Sequence, residues 1–170
     1  ARMSPAGSAA ISFTEVNPYQ RVNIMVNPLD WLEFGFRYTN IMNHLYGSAA
    51  LSGTQSYKDK SIDAKVRLWK ESAFIPQVAV GAMDVGGTGL FSGEYLVASK
   101  RTGGFDWSLG LGWGYIGGRG DISNPLSVLS SKFNTRPNGS GSGSSEAGGI
   151  GGSFFRGRTA IFGGVQYQFP

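Results

Sequence analysis

The sequence predicts an all-β protein: an antiparallel, up-and-down transmembrane β-barrel of about eight strands, or the first part of a larger barrel. Three observations carry this. Apolar side chains recur with a period of two along most of the chain, and no stretch makes a convincing amphipathic helix. The links between alternating stretches are short and long in turn. The composition sets 27 Gly, 11 Phe, 7 Tyr and 4 Trp among 170 residues beside only 15% charged residues. An average soluble domain is nearer 25% charged and ~7% Gly.

In chain order, Ser8–Thr14 and Tyr19–Val26 alternate weakly, joined by the short Glu15-Val16-Asn17-Pro18. Asn27-Pro28-Leu29-Asp30 is a turn, rich in residues that stop a strand. From Trp31 to Thr39, Leu32, Phe34, Phe36 and Tyr38 oppose Glu33, Gly35, Arg37 and Thr39. A long link, Ile41–Tyr57, leads to Ser61–Trp69, where Ile62, Ala64, Val66 and Leu68 alternate with Asp63, Lys65 and Arg67. The turn Lys70–Pro76 precedes a weaker strand at Gln77–Met83; the link Asp84–Gly93 precedes another at Glu94–Lys100. After Thr102-Gly103-Gly104 comes the clearest strand. Phe105, Trp107, Leu109, Leu111, Trp113 and Tyr115 face one way; Asp106, Ser108, Gly110, Gly112 and Gly114 face the other. The longest link, Ile116–Phe155, holds a Gly/Ser-rich stretch at 137–152 that reads as a flexible loop. The last strand, Thr159–Phe169, ends in the aromatic Tyr167-Gln168-Phe169 typical of membrane barrels, and Pro170 after it reads as a cut. The whole of 1–170 forms one barrel domain.

Composition narrows the chemistry. With no Cys, disulfides, thiol catalysis and Cys-based metal sites are excluded, and a single His, His44, makes a His-rich metal site impossible. The net charge of +4 and pI near 9.5 are spread along the chain without the basic block of a nucleic-acid binder. A mean hydropathy of −0.12 leaves no transmembrane helix, but a barrel strand averages its polar and apolar halves. No signal peptide is visible at Ala1-Arg2-Met3-Ser4-Pro5, as expected of a mature chain or an excised fragment.

The two faces decide between a membrane barrel and a soluble sandwich. The apolar face is rich in bulky rings, with Trp31, Tyr38, Trp69, Tyr115 and Tyr167 near strand ends, where aromatic belts meet the membrane interfaces. The polar face combines Gly and Ser with Arg21, Glu33, Arg37, Asp63, Lys65, Arg67, Asp106 and Arg158. A narrow barrel fills its interior in this way, because buried charges there must be paired. These eight residues are therefore the predicted lumen charge network, read as a salt-bridged plug rather than an ion conduit.

Several stretches resemble the YjbH-type family of Gram-negative outer-membrane proteins linked to exopolysaccharide and capsule production. They are Thr39-Asn40-Ile41 after Phe34-Gly35-Phe36-Arg37-Tyr38, the segment Tyr57–Asp63, the long motif Asp84–Lys100, the strand Phe105–Gly114 and the opening Ala1–Pro5. The resemblance covers most of the chain outside the Gly/Ser loop. It implies an amino-terminal barrel portion of a longer protein, placed in the bacterial outer membrane and taking part in polysaccharide secretion or assembly. It implies no transferable catalytic residues.

Candidate sites are few. Gly86-Gly87-Thr88-Gly89 lacks the Lys and the following helix of a phosphate-binding loop and reads as a turn folded back on the rim. Asp84, Phe91 and Glu94 are the candidate glycan-contacting residues, two polar handles and a stacking face. His44 among serines raises a lipid-modifying enzyme, yet no nucleophile and orienting carboxylate are singled out. Arg119-Gly120-Asp121 needs only a Gly-rich turn to explain it. Arg119, Lys132, Arg136 and Arg156 give the long links a basic tendency suited to lipopolysaccharide phosphates or acidic glycan. The function expected is thus a non-enzymatic outer-membrane component of exopolysaccharide export, without cofactor or metal. Its partners are outer-membrane lipid or lipopolysaccharide, other export proteins and the polysaccharide itself, and no nucleic acid. A porin-like channel segment, a small lipid-modifying enzyme and a soluble β-sandwich are the alternatives.

Overall fold

Eight strands pair in sequence order into one antiparallel meander, in a computed structural model that describes residues 1–137 and 153–169. They are β1 (Ser8–Val16), β2 (Tyr19–Leu29), β3 (Leu32–Leu45), β4 (Ser56–Trp69), β5 (Gln77–Gly87), β6 (Gly93–Thr102), β7 (Phe105–Gly114) and β8 (Ala160–Tyr167). One helical turn, α1 (Ala49–Ser52), follows β3, and three 3-10 turns (Ile116–Arg119, Pro125–Val128, Ser131–Asn134) lie in the link before β8. No helix among the described residues is long and apolar enough to cross a membrane. The predicted Gly/Ser loop at 137–152 falls, apart from Pro137, outside the described residues, as does Pro170.

The links obey the predicted parity. At one end the strands are joined by residues 30–31, 70–76 and 103–104, and at the other by 17–18, 46–55, 88–92 and 115–159. Two of the predicted long links are in fact partly strand. Pairing of β3 with β4 continues through Thr39↔Asp59, Asn40↔Lys58 and Ile41↔Tyr57. There the alternation fades because the outer face turns polar at Asn40 and Lys58 while Ile41 and Tyr57 face inward, and the backbone ladder runs on. On the outer face of that extension, Asn40 accepts from Ser56 Oγ at 2.6 Å and from Lys58 Nζ at 2.8 Å.

The sheet curls into a half-barrel, with β1 and β8 as its two edges. Ser8–Thr14 does not pair with the last strand: β1 pairs only with β2 and β8 only with β7. Closure within these strands, expected for an eight-stranded barrel, is therefore not what the described residues form.

The register sorts the side chains. Ile11, Ile24, Phe34, Phe36, Ile62, Leu96, Leu109, Ile161 and Val165 share the convex face and are exposed there. Ile11 is 73% exposed and Leu109 64%, values that no soluble core residue shows. The convex face ends in rings toward the short turns, where Trp31, Trp69, Phe105, Trp107 and Tyr167 are all exposed. The buried side chains are largely polar instead, Thr39, Asp59, Ser61, Asp84 and Ser99 among them, and they lie under the concave side and its rim. This distribution is inverted relative to a water-soluble domain.

Glycine on the concave face makes room for rings. A Cβ on Gly110 would lie 2.3 Å from Phe162 Cζ and 2.8 Å from the Leu96 carbonyl oxygen, so only glycine lets the Phe162 ring lie across β7. Gly81 likewise sits under Tyr95, whose ring meets Phe162 edge-on at 6.4 Å.

Candidate functional site

The concave face carries a ladder of paired charges across β3 and β4. Glu33 lies opposite Lys65 and Gly35 opposite Asp63, so the pleat aims these side chains, and Arg37, inward together. Lys65 Nζ meets Glu33 at 2.6 Å, and Asn27 Nδ2 adds a bond to the same carboxylate at 3.4 Å. Arg37 donates to Asp63 Oδ1 and to Ser61 Oγ, both at 3.1 Å. Each pair is largely shielded, so each charge needs the other, and removing either partner would leave an uncompensated charge.

From this ladder a relay of hydrogen bonds holds the 88–92 loop into the mouth of the half-barrel. Asp63 Oδ1 accepts the Asp84 backbone N–H at 2.8 Å, and Asp84 Oδ2 accepts the Phe91 N–H at 3.1 Å. Asp84 adopts a left-handed φ of 54° to face both ways. Thr88 Oγ1 donates to Asp59. The result sets the Phe91 ring, 6% exposed, against Tyr19 of β2 and Tyr115 beyond β7, with centroids at 6.5 and 5.1 Å. The Arg21 guanidinium stands 4.7 Å over Tyr19 and 5.8 Å from Phe91, and that of Arg37 is 5.9 Å from Phe91. Tyr57 of β4, with the His44 ring tilted against it at 5.2 Å, completes an aromatic rim.

The opposite end is closed by the segment before β1. Arg2 donates to both oxygens of Asp106, at 2.9 and 2.7 Å, and to Glu71 at 2.6 Å, while the Ala1 nitrogen reaches Ser99 Oγ at 2.8 Å. Glu71 also accepts the Arg101 backbone N–H at 2.8 Å. That bond, followed by Arg2, holds the Glu71 carboxyl below the ordinary range.

The long link after β7 returns over the outside of the rim. Arg136 grips Glu94 with two 2.8 Å bonds and reaches Ser92 Oγ at 3.3 Å; the Phe155 N–H donates to the same carboxylate at 2.9 Å. Phe155 packs edge-on against Trp113 at 5.1 Å. Asn124 ties the link together, donating to the Phe133 and Phe155 carbonyls, both at 2.8 Å. Asp121 accepts from the Ile161 N–H at 2.9 Å, which, with Arg119, lowers its pKa.

The predicted network is placed only in part where the alternation put it. Glu33, Arg37, Asp63 and Lys65 meet as two pairs, and Asp106 joins Arg2 rather than any predicted partner. Arg21 faces rings, and no hydrogen bond or ion pair to Arg67 is seen among the described residues. Arg158 is a correction: it precedes β8, is exposed and donates to the Gly120 carbonyl at 3.0 Å, because the inward alternation starts only at Ala160. Asp84 and Glu94 are also revised: at 1% and 2% exposed they fasten the loop and the link rather than present a surface to glycan, while Phe91, 6% exposed, sets its ring in the aromatic rim with Tyr19 and Tyr115. Trp113, expected in the lipid-facing row with Leu109, is 2% exposed beneath Phe155. The pairings of Arg2, Glu71, Asp59 and Arg136 escape sequence reading because their partners lie 29 to 104 positions away, beyond any local pattern. Among the described residues no group of three or more His, Cys, Asp or Glu is arranged to hold a metal ion.

A charged concavity, an apolar convex wall and the 88–92 loop of the Asp84–Lys100 motif folded into the mouth are the setting for the comparison with known proteins. The profile of the YjbH family, described as "Exopolysaccharide biosynthesis protein YbjH", matches residues 1–170. The chain belongs to this family. It is 48% identical, over 172 aligned positions and 100% of its own length, to a protein of Escherichia coli (strain K12) named "Uncharacterized lipoprotein YjbH". The chain spans 24% of that relative's length. No solved structure matches it.

Proposed function

We propose that this YjbH-family chain is the amino-terminal barrel portion of a non-enzymatic outer-membrane protein that serves exopolysaccharide secretion or assembly, in capsule or biofilm. The observation that carries the reading is the convex face of exposed apolar side chains, from Ile11 and Phe13 on β1 to Ile161 and Val165 on β8. In water such a surface would drive aggregation; in lipid it is the stabilising face. Its height suits a membrane. From Phe105 to Leu111 on β7, six residue steps of ~3.4 Å, tilted by ~40°, span roughly 16 Å, and the ring belts extend this toward the ~25 Å apolar band of an outer membrane.

The two unpaired edges fit the same reading. Backbone N–H and C=O groups on β1 and β8 cannot stay unsatisfied in lipid, so strands from the rest of a longer protein would complete the wall. The paired charges and the Arg2 segment fill the concavity, which favours anchoring and positioning over free conduction. The family description supports the link to exopolysaccharide, and the relative's naming as a lipoprotein supports association with a membrane. The outer links would meet lipopolysaccharide and glycan; the short turns would face other export proteins in the periplasm.

The test is made on the full-length protein in its own cells. Separated membranes are probed for the protein, and exopolysaccharide in the medium is measured with and without it. Recovery in the outer-membrane fraction together with loss of released polysaccharide is the expected result. Recovery in the soluble fraction, or unchanged polysaccharide, contradicts the proposal. Steady ion conductance in planar bilayers would replace it by a porin-like channel.

A further inference from the structure

We propose that the aromatic pocket at the mouth of the half-barrel is a saccharide-binding site that prefers a sugar bearing a carboxylate. This inference rests on the exopolysaccharide reading and names the ligand chemistry within it. The pocket has a volume of about 490 Å³ and opens at the long-link end; Tyr19, Asn43, His44, Tyr57, Phe91 and Tyr115 line it. That volume lies within the range of small-molecule sites.

Its walls have the chemistry of a sugar. A pyranose ring offers a C–H face that packs on an aromatic surface and a rim of hydroxyls that need donors and acceptors. Tyrosine supplies both, an apolar body with a polar tip. Here three tyrosines come from β2, β4 and the residue after β7, so they surround the space instead of stacking on one another. The Asn43 amide and the His44 imidazole add polar groups from the end of β3. Phe91 is delivered to the pocket by the Asp63–Asp84 relay, and this gives the buried loop a purpose beyond closing the mouth.

The preference for an acidic sugar comes from charge. Two guanidiniums, of Arg21 and Arg37, lie within 6 Å of the Phe91 ring centroid. Arg37 is neutralised by Asp63, but no salt bridge to Arg21 is seen among the described residues. Of the other concave cations, Arg2 and Lys65 each hold a carboxylate, and Arg67 lies toward the short-turn end of β4, away from the pocket. The Asp84 and Asp59 carboxylates beside the loop are taken up by the Phe91 N–H and by Thr88 Oγ1. The Arg21 guanidinium, 4.7 Å over the Tyr19 ring, stands against the Tyr19 wall of the pocket with no carboxylate of its own among the described residues, and favours a carboxylate over a hydroxymethyl group on a ring bound there.

The experiment uses the full-length protein in detergent, with a short oligogalacturonate as the acidic probe and a cello-oligosaccharide of equal length as the neutral one. Titration calorimetry is expected to show the acidic probe binding more tightly. Tyr57→Ala and Tyr115→Ala are expected each to weaken it about tenfold or more. Tyr57→Phe, which keeps the ring, should retain most of the binding. Arg21→Gln should abolish the difference between the two probes. Heat-shifted gel mobility checks that each variant is folded, and an unfolded Tyr57→Ala is replaced by Tyr57→Leu. Binding of neither probe, or binding that the tyrosine variants leave unchanged, overturns the site; equal binding of both probes by the unaltered protein overturns the acidic preference. Either result leaves the outer-membrane reading to its own fractionation test, and a protein found outside the outer membrane would fail that reading whatever it binds.

Discussion

Three residues do more than their positions in the sequence suggest. Arg136 is one: its two bonds bury Glu94 at the rim, with the side chains 13% and 3% exposed. Arg136→Ala would strand that carboxylate and is expected to cost about 3–5 kcal/mol, read as a lower thermal midpoint and faster protease cleavage within 115–137. Arg136→Lys keeps charge but loses the two-pronged grip, and should recover only part of it. Glu71 is the second. Because its folded-state pKa is lowered by the Arg101 N–H and by Arg2, its contribution is fully present above the ordinary carboxylate pKa. It is lost as pH falls through the lowered folded value. Thermal midpoints should therefore drop on acidification through that window, and Glu71→Gln should flatten this part of the profile; an unchanged profile would deny the contact its role. Gly110 is the third. Gly110→Val must displace both the Phe162 ring and a strand backbone, an overpacking of about 1–3 kcal/mol in the same measurement.

At the scale of the strand, the period of two was enough to locate all eight elements, most closely where one face is apolar and the other small. Phe105–Gly114 is the clearest, since Trp107, Leu109 and Leu111 oppose Ser108, Gly110 and Gly112 without interruption. The ends of β3 and β4 were hidden for a physical reason. Above Tyr38 the wall leaves the apolar band, Asn40, Ser56 and Lys58 take over its outer face, and pairing persists without hydrophobic contrast. Of the site, the Glu33–Lys65 and Arg37–Asp63 pairs were legible as inward charges because neighbouring strands supply both halves. Arg158 misleads because it continues the polar alternation of a strand that begins only at Ala160, and Trp113 because alternation cannot reveal that a returning link covers one end of a face. The edges make a prediction of their own. On the proposed reading, in which strands of a longer protein complete the wall, amides of β1 and β8 in the full-length protein should resist hydrogen exchange as well as those of β3. Rapid exchange along both edges would mean that nothing completes the wall.

The molecule as a whole is inverted: side chains that a soluble protein buries lie exposed on the convex wall, while ion pairs, serines and glycines occupy the concavity. The family, the charged interior and the pocket acquire their meaning from which solvent that wall meets. Nitroxide labels on cysteines introduced one at a time into the full-length protein, reconstituted in lipid vesicles, decide it. Labels at Ile11, Phe36 and Leu109 report the convex wall; labels at Ser12 and Ser108 report the other side. The convex set is expected to collide with oxygen dissolved in the bilayer and to be shielded from a water-soluble nickel chelate, with the concave set showing no such preference for oxygen. If Ile11, Phe36 and Leu109 instead relax with the nickel chelate as freely as an exposed loop, the wall faces water and the outer-membrane account fails.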